Sequence, residues 1–234
     1  MRHRMVSDLM TTSVVRVQRD ANFKEIAKLL AECDITAVPV VDDDDRPVGV
    51  VSEADLLRKE AAQLDPAGLL PALHPRPADR AKAGATTAEG LMSSPAVTAR
   101  PEWTVVEAAR VMEQSRVKRL PVVDEAGRLV GVISRADLLH VFLRGDRAIR
   151  EEIDRDVLVH TLGIAPGAVT AHVVDGRVSL IGTVERKSVI AVAVRLCGGV
   201  DGVVDVSEGL GYRVDDTGGP AADAASRRRS QLAP

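Results

Sequence analysis

The sequence predicts a mixed α/β (α+β) chain: two copies of a β-α-β-β-α unit, then a small α-β-β-α-β domain. Three observations predict it. Shifted by 82 residues, Leu9–Leu57 falls on Leu91–Leu139 without a gap, and 18 of the 49 pairs are identical. Within each copy a helix-periodic apolar stretch lies between short β-branched runs. Beyond Asp146 an amphipathic helical stripe precedes two β-rich runs joined by Asp175-Gly176.

In the first copy, Val14–Val17 reads as a short strand, and a helix starts at Asp20 or just after it. That helix runs to about Cys33, with Phe23, Ile26, Ala27, Leu30 and Ala31 at helical spacing. Val38–Val41 is a buried strand, Asp42–Arg46 a polar turn, Val48–Val51 the returning hairpin strand and Ser52–Glu60 a second helix. In the second copy the turn is Asp124–Gly127, where Gly127 suits a positive φ.

Between the copies, Pro66, Pro71, Pro75 and Pro77 break any periodicity, which predicts a linker. In the third region, Asp146–His160 is a helix with Ile149, Ile153, Val157 and His160 on one face. Ala168–Val174 and Arg177–Val184 form a hairpin, Glu185–Cys197 a helix closed by Gly198-Gly199, and Val200–Glu208 a last strand. The expected divisions are 1–60, linker 61–87, 88–145, 146–213, and a disordered tail 214–234.

Composition narrows the function. Among 234 residues, Lys+Arg number 31 and Asp+Glu 34, for a net charge of -3, so nucleic acid is not an expected partner. Phe23, Trp103, Phe142 and Tyr212 are too few rings for a base-stacking platform. Cys33 and Cys197 make no disulfide scaffold and suit a reducing, cytoplasmic setting. No apolar stretch follows the basic residues of Met1–Asp8, so no secretory signal is expected. The uncharged run near Val189–Val194 falls far short of the ~20 residues a membrane span needs. His3, His74, His140, His160 and His172 have no metal-site spacing, and Asp42–Asp45 lacks the rest of a calcium loop. Arg227–Arg229 reads as part of a charged tail. No phosphate-binding glycine loop, nucleophile elbow or catalytic carboxylate pair occurs, so neither catalysis nor a cofactor is expected.

The informative motif is Gly-x-x-Ser-x-x-Asp, at Gly49–Asp55 and again at Gly131–Asp137. The glycine is expected to end a strand, with the serine capping the next helix and the aspartate in its first turn. A helix N-terminus favours phosphate, and an ionised carboxylate accepts from both hydroxyls of a ribose diol. The same spacing is also a capping pattern worth about 1 kcal/mol with no ligand implied. From spacing alone both readings stand.

The paired units, with Pro39-Val-Val-Asp42 and Pro121-Val-Val-Asp124, a hairpin and the Gly-x-x-Ser-x-x-Asp motif in each, resemble the tandem CBS-domain (Bateman) module. The resemblance covers about Val6–Leu143. It implies two units packed as a pseudo-two-fold pair around two clefts that take AMP, ADP, ATP or S-adenosylmethionine as a regulatory ligand, and a homodimer formed through their helices. It further implies that the Ser and Asp of one unit face the residues before the proline of the other. One cleft would then use Ser52 and Asp55 with Lys118, Arg119 and Leu120. The other would use Ser134 and Asp137 with Thr36, Ala37 and Val38. Hydroxyls at Thr11 or Thr12 and at Ser93 or Ser94 would contribute, with Thr12 and Ser94 the chosen pair. Lys118 and Arg119 would make the Ser52 side prefer more phosphates, leaving the Ser134 side a monophosphate or S-adenosylmethionine.

Ala168–Val184, with Leu180-Ile-Gly182, and the ending Gly199-Val-Asp-Gly-Val-Val-Asp-Val206 resemble the BON domain, over about Asp146–Tyr212. That resemblance implies docking to a protein partner or to phospholipid. Residues 146–213 carry 8 basic and 10 acidic side chains, which does not favour anionic lipid. The whole reads as a nucleotide-sensing module that transmits its state to the BON domain. The alternative is a constitutive dimerisation scaffold.

Overall fold

The computed structural model describes residues 4–61, 82 and 84–217. The chain divides into two compact units, one spanning Arg4–Leu138 and the other beginning at Leu139. The first holds both repeats. In order these give β1 (Val17–Gln18), α1 (Phe23–Glu32), β2 (Ala37–Val41), β3 (Pro47–Ser52) and α2 (Glu53–Ala61). They continue as α3 (Ala88–Leu91), α4 (Val105–Gln114), β4 (Arg119–Val123), β5 (Leu129–Ser134) and α5 (Arg135–Leu139).

Local chemistry sets the ends. Asn22 caps α1 by accepting the Glu25 N–H at 3.0 Å, and Thr104 with Glu107 forms a reciprocal capping box on α4. Asp45 at φ 60° and Gly127 at φ 80° occupy equivalent turn positions, as do Asp34 and Arg116 at φ 51° and 55° after the helices. The expected strand at Val14–Val17 shrinks to β1, which pairs in parallel with Val40 and Val41; its counterpart in the second repeat is the single bridge Ala99–Val122. In each hairpin the register slips by one residue, between Val40 and Val41 and again between Val122 and Val123.

The repeats exchange their leading segments. Val6 N–H donates to the Trp103 carbonyl at 2.8 Å, and Thr11 exchanges two backbone bonds with Val132 of β5 at 2.9 and 3.0 Å. Reciprocally, Phe23 N–H donates to the Thr86 carbonyl at 2.9 Å and Ser93 exchanges bonds with Val50 of β3. Ala88 and Leu91 are buried in a core with Ile26, Val38, Val40 and Val51. Gly49 and Gly131 lie inside their strands instead of ending them, and a Cβ there would stand 2.5 Å from the Met92 Sδ and 2.6 Å from the Met10 Sδ. The glycine therefore leaves room for the exchanged methionine. Of the expected linker, residues 62–81 and 83 lie outside the described residues.

The second unit contains α6 (Asp146–Glu152), running into a π-helical stretch over Ile153–Thr161. Then come β6 (Val169–Val174), β7 (Arg177–Arg186), α7 (Ser188–Gly198) and β8 (Asp205–Val214). The sheet order is β6-β7-β8, antiparallel then parallel. Ile149, Ile153, Val157 and Leu158 pack with Leu180, Val184, Ala193 and Cys197, while His160 is exposed. The wider π turn brings Leu158 inward in place of the expected His160. Asp146 accepts the N–H groups of Asp175 and Gly176, both at 2.9 Å, tying the helix start to the hairpin turn. The helix expected from Ala136 to His160 is interrupted between Leu139 and Asp146 by a 3-10 turn at His140–Leu143.

Two boundaries differ from expectation. Gly202 at φ 93° turns the chain, so β8 begins at Asp205 instead of Val200, and β7 extends to Arg186 to pair with it. Residues 215–217, expected in the tail, are ordered: Asp216 accepts the N–H and Oγ of Ser188 at 2.9 and 2.7 Å at the start of α7. Residues 218–234 lie outside the described residues.

Candidate functional site

Each repeat places its serine at the last residue of a hairpin strand and its aspartate one turn into the following helix. The hairpin register fixes the neighbours: Ala37 pairs with Ser52, and Arg119 with Ser134. Glu53 N–H then donates to the Thr36 carbonyl and Arg135 N–H to the Lys118 carbonyl, 3.0 and 2.9 Å, starting both helices identically.

Asp55 is 3% exposed. Its Oδ2 accepts the Ser52 N–H at 2.9 Å and the Ser52 Oγ at 2.6 Å. Its Oδ1 accepts from the Arg58 guanidinium and from Lys82 Nζ at 2.8 Å. Burial would raise the Asp55 pKa, but the bonds from Lys82 and Ser52 outweigh it and hold the carboxyl below its ordinary value. Asp137 is half-buried; its Oδ2 accepts the Ser134 N–H and Oγ, both at 2.7 Å, and Asp137 N–H returns to Ser134 Oγ at 3.3 Å. Both pairs thus form helix caps.

A cleft of about 420 Å³ opens beside Asp55, lined by Thr36, Ala37, Ser52, Asp55, Ser93, Lys118 and Arg119, with Arg58, Arg116 and an apolar wall from Pro95, Ala96, Val97 and Val117. The Arg119 guanidinium crosses from the second repeat to donate to the Ala37 carbonyl at 3.1 Å and to the Thr36 hydroxyl. Burial pulls the Arg119 pKa below its ordinary value, while Glu53 and Asp137 act to raise it. Lys118 and Arg116 are exposed at the rim.

The structure brings Ser52, Asp55, Lys118 and Arg119 to one cleft, and it places several other residues differently from the sequence expectation. Thr36 and Ala37, expected opposite Asp137, line the Asp55 cleft, because the register sets them beside Ser52 of their own repeat. Val38 and Leu120 are fully buried: successive strand side chains alternate, and these two face the core. Ser93, not Ser94, lines the cleft, and the bridge to β5 is made by its equivalent Thr11, not Thr12. Arg58, Arg116 and Lys82 were missed. Arg58 was legible as the residue three beyond Asp55 on one helix face, whereas nothing in the sequence links Lys82 to Asp55.

Among the described residues no group of three or more His, Cys, Asp or Glu is placed to hold a metal ion, and no helix is long and apolar enough to cross a membrane.

Known proteins frame this geometry. The CBS domain family matches residues 6–62 and 88–144, and the BON domain family residues 145–213. A CBS domain-containing protein of Dictyostelium discoideum is 30% identical over 141 residues, 60% of this chain and 92% of that protein. The homoserine O-acetyltransferase of Methanosalsum zhilinae is 26% identical over 133 residues; the match spans 57% of this chain but only 23% of that enzyme. The CBS-pair protein CBSX2 of Arabidopsis thaliana, solved in complex with AMP, is 28% identical with a TM-score of 0.51, covering 59% of this chain and 96% of that one. Two matched CBS domains, the duplicated Ser–Asp caps and the third matched domain together place the chain among the CBS domain proteins, as a tandem CBS pair followed by a BON domain.

Proposed function

We propose that the CBS pair is a non-catalytic regulatory module that binds an adenine nucleotide beside Asp55 and at its Asp137 counterpart, and passes its state to the BON domain. The observation that carries this reading is the Asp55 cleft itself, where a carboxylate at a helix start lies with exposed cations of the other repeat at the rim. The apolar wall of Pro95–Val97 and Val117 offers a purine ring a face to pack on. The AMP bound by CBSX2 supports the ligand class. A ligand shifts such a module only by the difference in its affinity for two states. On this reading the chain acts as a homodimer in the cytoplasm, in keeping with its two unpaired cysteines.

A thermal-shift panel of AMP, ADP, ATP, GTP and S-adenosylmethionine, followed by calorimetry, tests it. An adenine compound at a hundredfold excess over its Kd should stabilise the fold by about 2.7 kcal/mol. No shift and no heat with any of them would overturn the reading.

The bonding of each aspartate to its own serine favours a second reading, a constitutive dimer scaffold whose BON domain docks a protein partner or phospholipid. A dimer by light scattering that ignores every nucleotide while the chain sediments with liposomes or retains a partner would establish it.

A further inference from the structure

We infer that Lys82 is an internal counter-ion of Asp55 that an incoming ligand must displace, so the two nucleotide positions are inequivalent and the Asp55 side is the gated one. This rests on the nucleotide reading and deepens it. A ribose diol engages a carboxylate by donating to it, yet Asp55 already accepts four donors. Two come from Ser52 at the strand end and one from Arg58 on the helix of Asp55 itself, so these three belong to the β3–α2 junction. The fourth, Lys82 Nζ, belongs to neither element; it lies 2.8 Å from Asp55 Oδ1 and 2.9 Å from Ser93 Oγ.

With Asp55 3% exposed, little of the carboxylate is left to solvent. Lys82 is the donor that can leave at least cost, a point charge on a flexible four-carbon stem. Asp137 presents the contrast. Among the described residues its Oδ1 accepts no hydrogen bond, and the position matching Arg58 is His140. The diol can therefore meet Asp137 directly but must exchange with Lys82 to reach Asp55.

Adenosine is the probe, because it has the diol without a phosphate for Lys82 to follow. Calorimetric titration into full-length Lys82→Gln, in an Asp137→Asn background that silences the other position, should show adenosine binding roughly three- to tenfold tighter than the Asp137→Asn parent, the scale of one partly buried ion pair removed. Lys82→Arg should stay at the parental affinity, and Lys82→Ala should repeat the gain. Unchanged or weaker binding in Lys82→Gln and Lys82→Ala overturns the displacement alone. So does AMP binding to the parent with adenosine silent in every variant. If neither AMP nor adenosine binds any variant or the unmodified chain, the displacement and the nucleotide reading both fall.

Discussion

Arg119 of the second repeat donates to the Ala37 carbonyl of the first at 3.1 Å, and to the hydroxyl of Thr36 beside it. This guanidinium fastens the two hairpins where the cleft forms, so it works as a strut more than as a free phosphate ligand. Hydrogen bonds from charged groups contribute about 1.5–3 kcal/mol, and a strut on a half-buried stem lies near the lower end. Arg119→Ala should lower unfolding free energy by roughly 1–2 kcal/mol in urea titration. Arg119→Lys should recover little, since an ammonium cannot span both acceptors.

Gly49 and Gly131 face Met92 and Met10. At Gly49 an added Cβ meets Met92 Sδ, Cγ and Cβ at 2.5, 2.8 and 3.0 Å, whereas at Gly131 it meets Met10 Sδ at 2.6 Å and then Met10 Cγ and the Thr11 carbonyl oxygen at 3.2 Å. The end of a methionine moves cheaply and its stem does not. Gly49→Ala should cost about 1–3 kcal/mol and Gly131→Ala less. Pairing each with its Met→Ala partner should make the two costs strongly non-additive in a double-mutant cycle.

Those glycines show where sequence reading reached its limit. The 82-residue repeat gave the hairpins, the helices and the Ser–Asp pairs, because periodicity and capping are local. Exchange of the leading segments is not local: the bonds from Val6 N–H to the Trp103 carbonyl and from Phe23 N–H to the Thr86 carbonyl join residues whose spacing carries no pattern. For the same reason the sequence does not reveal Lys82 and does not separate Ser93 from Ser94. Val38 and Leu120 are a different case, since strand alternation alone puts their side chains on the face opposite Ala37 and Arg119, in the core.

Asp55 should make stability pH-dependent. Its folded pKa lies below the ordinary 3.8. The carboxylate therefore contributes stability that is fully present above the unfolded value and is lost as pH falls through the folded one. Asp55→Asn cannot titrate. Urea midpoints measured from pH 6 to pH 2 should fall for both proteins, with the gap between wild type and Asp55→Asn narrowing below about pH 4. A gap that stays constant would show that the charge of Asp55 contributes nothing.

Lys118 is the cation best placed to read phosphate. Arg119 is held by Thr36 and Ala37 and Lys82 by Asp55, while Lys118 lines the same cleft, exposed, its ammonium making no hydrogen bond or ion pair among the described residues. Each added phosphate of ADP and ATP brings negative charge toward this rim, so Lys118→Ala should weaken ATP by about three- to tenfold and AMP by less. Salt separates this from a steric effect: at partly exposed groups the ATP contribution should shrink between 50 and 500 mM sodium chloride, as the screening length contracts from roughly 14 to 4 Å. An equal loss for AMP and ATP, insensitive to salt, would assign Lys118 to packing at the rim and leave the phosphate preference to other groups.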